Sequence, residues 1–479
     1  MQYATQDATR IIRRFSFAVL ALLLWGFTSP LNAQKHTAFG ELKTSPLRWD
    51  DIQADQPTQL HLFAGEHPAA MFSRPGELTL DNWFHDGHMR TYALLNLSDV
   101  VRSVELQRGK GPVYMFGNAR VPQLLDRVQV TLSEEEFPKA GEPITLRELT
   151  SWINCQGILV VRNGKIVFEE YPGMDPSQRH NWMSVSKSTM NMLIGKLVSE
   201  GKLDLSKKVE DYVPALKGKG YGSFTVQELA DMNADVNMDE RHYHDPKSKF
   251  WDFGRSMGWF TDHGNWPGGN KQFLTTLRRL KKPEGETAET VRYTSSNSQV
   301  IAWIIEEITD RPITEYFEHH IWQHIGAVQN ATVTVDKHGF PFVGGGYSST
   351  LRDLARYGTI WATGGVAPDG TRIFDEAWLR ENTTGKGIKL WDHRYHNQSY
   401  SKDGAITHQG HSGQMLWVNP ASQTIVATFG SMTTPGGGNA YSRQGYLLLA
   451  QTIDKHLRDE KIATSAHVEI AATKLSEEP

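Results

Sequence analysis

Residues 182–188 read Trp-Met-Ser-Val-Ser-Lys-Ser, and Met190, Leu193, Ile194, Leu197 and Val198 follow at helical spacing until Gly201. The spacing predicts a helix over 184–200 with Ser184 and Lys187 on one face of its first turn. A helix N-terminus offers unpaired backbone N–H groups and partial positive charge. A serine hydroxyl is a poor nucleophile until a base takes its proton. A lysine becomes that base only when burial or neighbouring positive charge lowers its pKa. The Ser-x-x-Lys spacing alone is weak evidence, because it recurs at Ser199 with Lys202 and at Ser399 with Lys402. The first of these runs off a helix end and the second reads as a polar loop. Only Ser184 opens a long amphipathic helix shortly after a hairpin.

That hairpin is the stretch 157–171, two β-rich runs around Asn163-Gly164, a dipeptide suited to a tight two-residue turn. Beyond the Ser184 helix the pattern predicts helices over 225–233, 300–308 and 351–362. Strand-like runs follow at 413–418 and 424–429, joined by a turn at Asn419-Pro420, and a helix at 441–458 closes the chain. Residues 241–269 are rich in Trp, Gly, Asp and His and have no period, so they read as a long irregular loop of functional kind. Their aromatic residues (Tyr243, Phe250, Trp251, Phe253, Trp259, Phe260, Trp266) argue against disorder. A hairpin early, helices in the middle and strands late imply an α+β fold, with one antiparallel sheet built from both chain ends, flanking helices and a mostly helical lobe.

Two further segments carry chemistry. Tyr293-Thr294-Ser295, with Asn297 beyond, leads into the second apolar helix, and a tyrosine beside a Ser/Lys pair can relay protons. His408-Gln409-Gly410-His411-Ser412-Gly413-Gln414 is a glycine-bearing strand edge that could pass close to a bound substrate and add a backbone N–H to that of Ser184.

In this order the three segments resemble the serine β-lactamase and penicillin-binding-protein superfamily, in its class C-like branch. The closer resemblance is to the 6-aminohexanoate-dimer (nylon-oligomer) hydrolases and related carboxylesterases. It is carried by LTLDNW (78–83), WMSVSKS (182–188), VEDYVPAL (209–216), YHDP (243–246), FLTTLR (273–278), RYTSSN (292–297), AWIIEEIT (302–309), LRDLARYG (351–358) and GQMLWVNP (413–420). The resemblance implies a serine β-lactamase-like fold and an acyl-enzyme on Ser184, with Lys187 as base and Tyr293 assisting proton transfer. It also implies an oxyanion hole from the N–H groups of Ser184 and His411, and substrate contacts from Tyr243, Ser295, His408 and Gly410. The second motif ends in Ser295, as in the nylon-hydrolase branch, and the third begins with His408 where a lysine would grip a carboxylate. Gly254 occupies the position where amide-active nylon hydrolases can carry an acidic residue. The expected activity is hydrolysis of small carboxylic esters or linear amides, with no cofactor. The alternatives are a D-stereospecific peptidase or β-lactamase on cell-wall-like substrates and a non-catalytic sensor, the latter disfavoured by intact Ser184, Lys187 and Tyr293.

The bulk properties agree. The chain has 479 residues, 39% hydrophobic and 22% charged, an ordinary folded composition. A net charge of −4 gives no basic surface on the scale that nucleic acids need. One cysteine, Cys155, excludes an internal disulfide and cysteine-based metal sites. Histidine pairs such as His319/His320 and His393/His396 form no HExxH pattern, so no metal site is expected. Arg10, Arg13 and Arg14, then an apolar run from Phe15 to Phe27 and a small residue at Ala33, have the layout of a secretory signal peptide. The expected organisation is a signal at 1–33, an N-terminal extension at 34–76, the hydrolase domain at 77–460 and a loose tail at 461–479. The expected location is the periplasm or the exterior, the expected partner a small ester or amide.

Overall fold

The computed structural model describes residues 74–460 apart from 85–86, 133–138, 140, 241–244, 246, 282–289, 391–392 and 432–444, together with short strands at His36–Thr37 and Gly40–Lys43. The signal, the tail and Tyr243 lie outside the described residues.

A nine-stranded sheet organises the fold. Its strands are β1 (Gly117–Asn118), β2 (Cys155–Arg162), β3 (Lys165–Glu170), β4 (Ile388–Leu390), β5 (His393–His396), β6 (Ser399–Lys402), β7 (Ala405–Gly410), β8 (Gln414–Asn419) and β9 (Thr424–Gly430), in the spatial order β4-β5-β6-β7-β8-β9-β2-β3-β1. Early and late segments join where β9 pairs antiparallel with β2, Val426 opposite Val160. Only the edge strand β1 departs from the expected antiparallel pattern, pairing parallel with β3. The β2–β3 turn holds Asn163 and Gly164 at φ of 49° and 69°, left-handed values that Asn and Gly tolerate and that a type I′ hairpin turn requires.

Alternation along the strands builds a core on each face. Leu159, Val161, Leu416, Val418, Ile425 and Ala427 face the helical lobe. Ile158, Val160, Met415, Trp417 and Val426 pack against Tyr446, Leu449, Ala450 and Ile453 of a helix covering 445–460. Four helices position the site: α1 (Ser188–Ser199), α2 (Lys249–Ser256), α3 (Ser295–Thr309) and α4 (Leu351–Ala362). Helix α4 lies along β9 and β8.

Four expectations are corrected. The helix over 184–200 is instead a 3₁₀ turn at Met183–Lys187 followed by α1. Helix α3 begins at Ser295, because buried Ser295, Ser296, Asn297, Ser298 and Gln299 form a polar first stretch that apolar periodicity misses. The irregular stretch 241–269 contains α2, capped by Ser248, whose hydroxyl accepts from the Phe250 N–H at 3.3 Å. Ser399–Lys402 is not a loop but strand β6, with Ser401 paired to Arg394 and Ile406.

Candidate active site

The site starts with a constrained turn. Asn181 donates to the carbonyls of Gly345 and Tyr347, both at 3.0 Å, and accepts from the Met183 N–H at 2.9 Å. Trp182 is tied on both ends, its N–H to the Tyr347 carbonyl at 2.8 Å and its indole N–H to Ser349 Oγ at 2.9 Å. Met183, the next residue, is left-handed, with φ of 46°, an unfavourable state for a side chain with Cβ and one that only an over-determined setting retains. Met183 is also the first residue of the 3₁₀ turn. In such a turn residues i and i+3 eclipse, more so than in an α-helix. This brings Lys187 Nζ to 3.0 Å from Ser184 Oγ.

Lys187 is almost fully buried, and its ammonium donates to the Gly344 carbonyl at 2.8 Å. Gly344 has to be glycine, because a Cβ there would sit 2.6 Å from the Phe342 ring and 2.8 Å from Ser295 Cβ. Burial lowers the Lys187 pKa to about 8, and the negative charge of Glu240 opposes that shift. A tenth or so of the amine is therefore neutral near pH 7, in hydrogen-bond reach of a hydroxyl proton. The Tyr293 ring packs over the same ammonium, 4.8 Å from Nζ to the centroid, and is itself set against Tyr395 and Tyr400 at 6.0 and 6.5 Å.

Strand β7 closes the other side. A Cβ at Gly410 would come 2.6 Å from the Trp182 carbonyl and 2.9 Å from Met183 Cβ, so the strand end passes tightly over the turn that carries Ser184. His411, the next residue, lines the cleft. The His411 side chain pairs with Ser412 Oγ at 2.8 Å.

Ser184, Tyr293, Ser295, Gly410 and His411 all line one cleft of about 960 Å³. His408 does not. It stands opposite Leu416 in the β7–β8 ladder, on the face turned to the helical lobe, and its ring packs 4.9 Å from that of Trp361. Burial drives its pKa to about 3, so it is neutral there. The substrate-contact role expected of His408 is thus corrected: strand alternation turns it to the face opposite Gln409, which lines the cleft, and Gly410 lines the cleft from the strand's end. Asp252, two residues before Gly254, pairs with Arg255 at 3.3 Å. Gly254 itself lines the cleft, and any Cβ on it would overlap the Phe260 ring.

Sequence reasoning missed Glu240, which lines the cleft and accepts a hydrogen bond from the Ser295 N–H at the start of α3. It also missed the wall formed by Phe84. Neither belongs to a motif, and each reaches the site through a contact distant in sequence. Among the described residues no cluster of three His, Cys, Asp or Glu side chains could hold a metal ion. No helix among them is long and apolar enough to cross a membrane.

Residues 150–452 match the profile of the family described as Beta-lactamase. The chain is also 31% identical over 410 residues to the 6-aminohexanoate-dimer hydrolase of Paenarthrobacter ureafaciens, an overlap of 80% of this chain and 96% of that protein. This chain belongs to the serine β-lactamase family. A solved structure from Bacillus anthracis with the provisional name 6-aminohexanoate-dimer hydrolase superposes with a TM-score of 0.69 at 24% identity, covering 81% of this chain and 99% of that one, and so shares the fold. As a β-lactamase-family member with hydrolase relatives, the protein is a serine hydrolase.

Proposed function

We propose that the protein is an exported hydrolase of small carboxylic esters or linear amides that acts through an acyl-enzyme on Ser184. The observation that carries this reading is the buried Lys187 amine, 3.0 Å from Ser184 Oγ with its pKa lowered to about 8. In its neutral form Lys187 takes the Ser184 proton as Oγ attacks the substrate carbonyl. The resulting oxyanion is held by the N–H groups of Ser184 and His411. Tyr293, stacked on Lys187, passes the proton to the departing alcohol or amine. Water then enters by the same base and releases the acid, restoring Ser184. No step calls for a cofactor. The inward turn of His408 leaves the third motif without a cation to grip a substrate carboxylate, which favours uncharged esters and amides over cell-wall-like substrates.

The experiment is intact-protein mass spectrometry with a panel of p-nitrophenyl esters and anilides. Wild type should gain one acyl mass, located on Ser184, and Ser184→Ala should gain none. Equal turnover by wild type and Ser184→Ala sinks the reading. Export is tested separately: protein recovered outside the cytoplasm should begin at Gln34, after the predicted cleavage at Ala33.

A further inference from the structure

Apart from Tyr293 and Tyr400, the cleft has a second group of aromatic residues. Phe84, Phe250 and Phe260 form a triangle of rings with centroids 6.1 to 6.4 Å apart. Trp259 continues it, 6.5 Å from Phe84 and 4.6 Å from Phe342. All five rings line the cleft. The cluster reaches the reacting region through Phe84, whose ring lies 5.3 Å from that of His411. Gly254 makes the arrangement possible, since a side chain there would occupy the space of the Phe260 ring. Lys249, on the same helix, also lines the cleft, with its ammonium 6.0 Å over the ring of Phe273, which lies outside the cleft wall.

The direction of the substrate follows from the reading of Ser184 proposed above, on which this inference rests. Tyr293 serves the leaving group, which therefore lies toward Tyr293, Tyr400 and Leu390, near the Arg292–Asp235 ion pair of 3.1 Å. The carbonyl oxygen points to the N–H groups of Ser184 and His411. The remaining substituent, the acyl chain, is left to the rings beside His411. Tilted and edge-on rings, 67° between Phe84 and Phe260 and 88° between Trp259 and Phe342, present both faces and edges to an incoming ring. A cleft of about 960 Å³ has room for one.

We propose that Phe84, Phe250, Trp259, Phe260 and Phe342 form an acyl-group pocket selective for uncharged arylalkanoyl groups, of which 3-phenylpropanoyl is the test case. The reaction remains acyl transfer to Ser184 and then to water, with the ring-bearing acid as product.

The test compares kcat/KM for p-nitrophenyl acetate, 6-aminohexanoate and 3-phenylpropanoate, which share a leaving group. Wild type should favour 3-phenylpropanoate by at least about tenfold over both others, the scale of apolar pocket discrimination. In Phe260→Leu and Phe84→Leu the phenylpropanoate-to-acetate ratio should fall toward one. That ratio does not depend on the fraction of a variant that folds, and the wild-type preference needs no variant. Ser184-dependent acetate hydrolysis with no preference for phenylpropanoate overturns the pocket and leaves the proposed function standing. A preference that survives both substitutions overturns the assignment to these rings. Absence of a Ser184 adduct from every ester overturns both readings.

Discussion

At Lys187 two effects compete, and their balance sets the pH at which the site works. Burial favours the neutral amine, while Glu240 favours the ammonium. The net pKa of about 8 lies well below the ordinary lysine value, so kcat/KM should fall about tenfold per pH unit below 8 and level off above it. Lys187→Met should remove this limb and lower kcat by about 10²–10⁴-fold. Glu240→Gln keeps an oxygen for the Ser295 N–H but removes the charge that raises the Lys187 pKa. Its acid limb should therefore move to lower pH, and a limb that stays put or moves up would show that Glu240 does not act on Lys187. Residue by residue, the motifs were legible because Ser184, Lys187, Tyr293 and Gly410 sit at short, chemically telling spacings. Glu240 and Phe84 were not. Their roles come from tertiary contacts, Glu240 with Ser295 and Phe84 with His411, that no local pattern encodes.

The elements hold the residues in register, and close approaches do most of that work. The end of β7 rides on the Trp182–Met183 backbone with no room for a Cβ at Gly410. Gly410→Ala should push the strand off the turn, lowering kcat by about 10²-fold through misplacement of the groups around Ser184. KM should change less, and a variant with wild-type kcat would show that this contact does not position the site. The hairpin around Asn163-Gly164, strands β8 and β9 and helix α4 were readable, since each pairs a clear period with a turn or cap signal. What hid the rest was polarity inside buried structure. The start of α3 is polar because Ser296 and Asn297 bond to the Tyr221 hydroxyl at 2.6 and 2.8 Å and Ser298 to Gln398 at 2.5 Å. Strand β6 reads Ser-Tyr-Ser-Lys, yet three of its four residues are buried within the sheet. Helix α2 was masked by Asp252 and Gly254, and Gly254 is there to admit the Phe260 ring rather than to break the helix.

Across the whole molecule, the last helix supports the site as well as closing the fold. Tyr446, in the helical stretch 445–460, is buried, donates its hydroxyl proton to the Ile153 carbonyl at 3.0 Å and also lines the cleft. Its ring and hydroxyl fill the space that a Cβ on Gly413 would need, and its hydroxyl the space of one on Gly430, so it is wedged behind the His411–Gly413 turn and the end of β9. The β9–β2 junction lies in the same region, where Gly430 pairs with Cys155. One side chain thus links the C-terminal helix, both halves of the central sheet and the proposed oxyanion donor. Two substitutions separate these tasks. Tyr446→Phe keeps the wedge and leaves the buried Ile153 carbonyl without its donor, which should destabilise the fold by about 1–3 kcal/mol while kcat stays near wild type. Tyr446→Ala empties the space behind the turn, which should cost about 3–5 kcal/mol and lower kcat as well, because the His411 N–H is no longer braced. Thermal unfolding and ester kinetics on the two variants distinguish the roles. Equal kcat in Tyr446→Phe and Tyr446→Ala would mean that the helix stabilises the sheet without positioning the site, whereas a loss confined to Tyr446→Ala makes the chain's far end part of the catalytic scaffold.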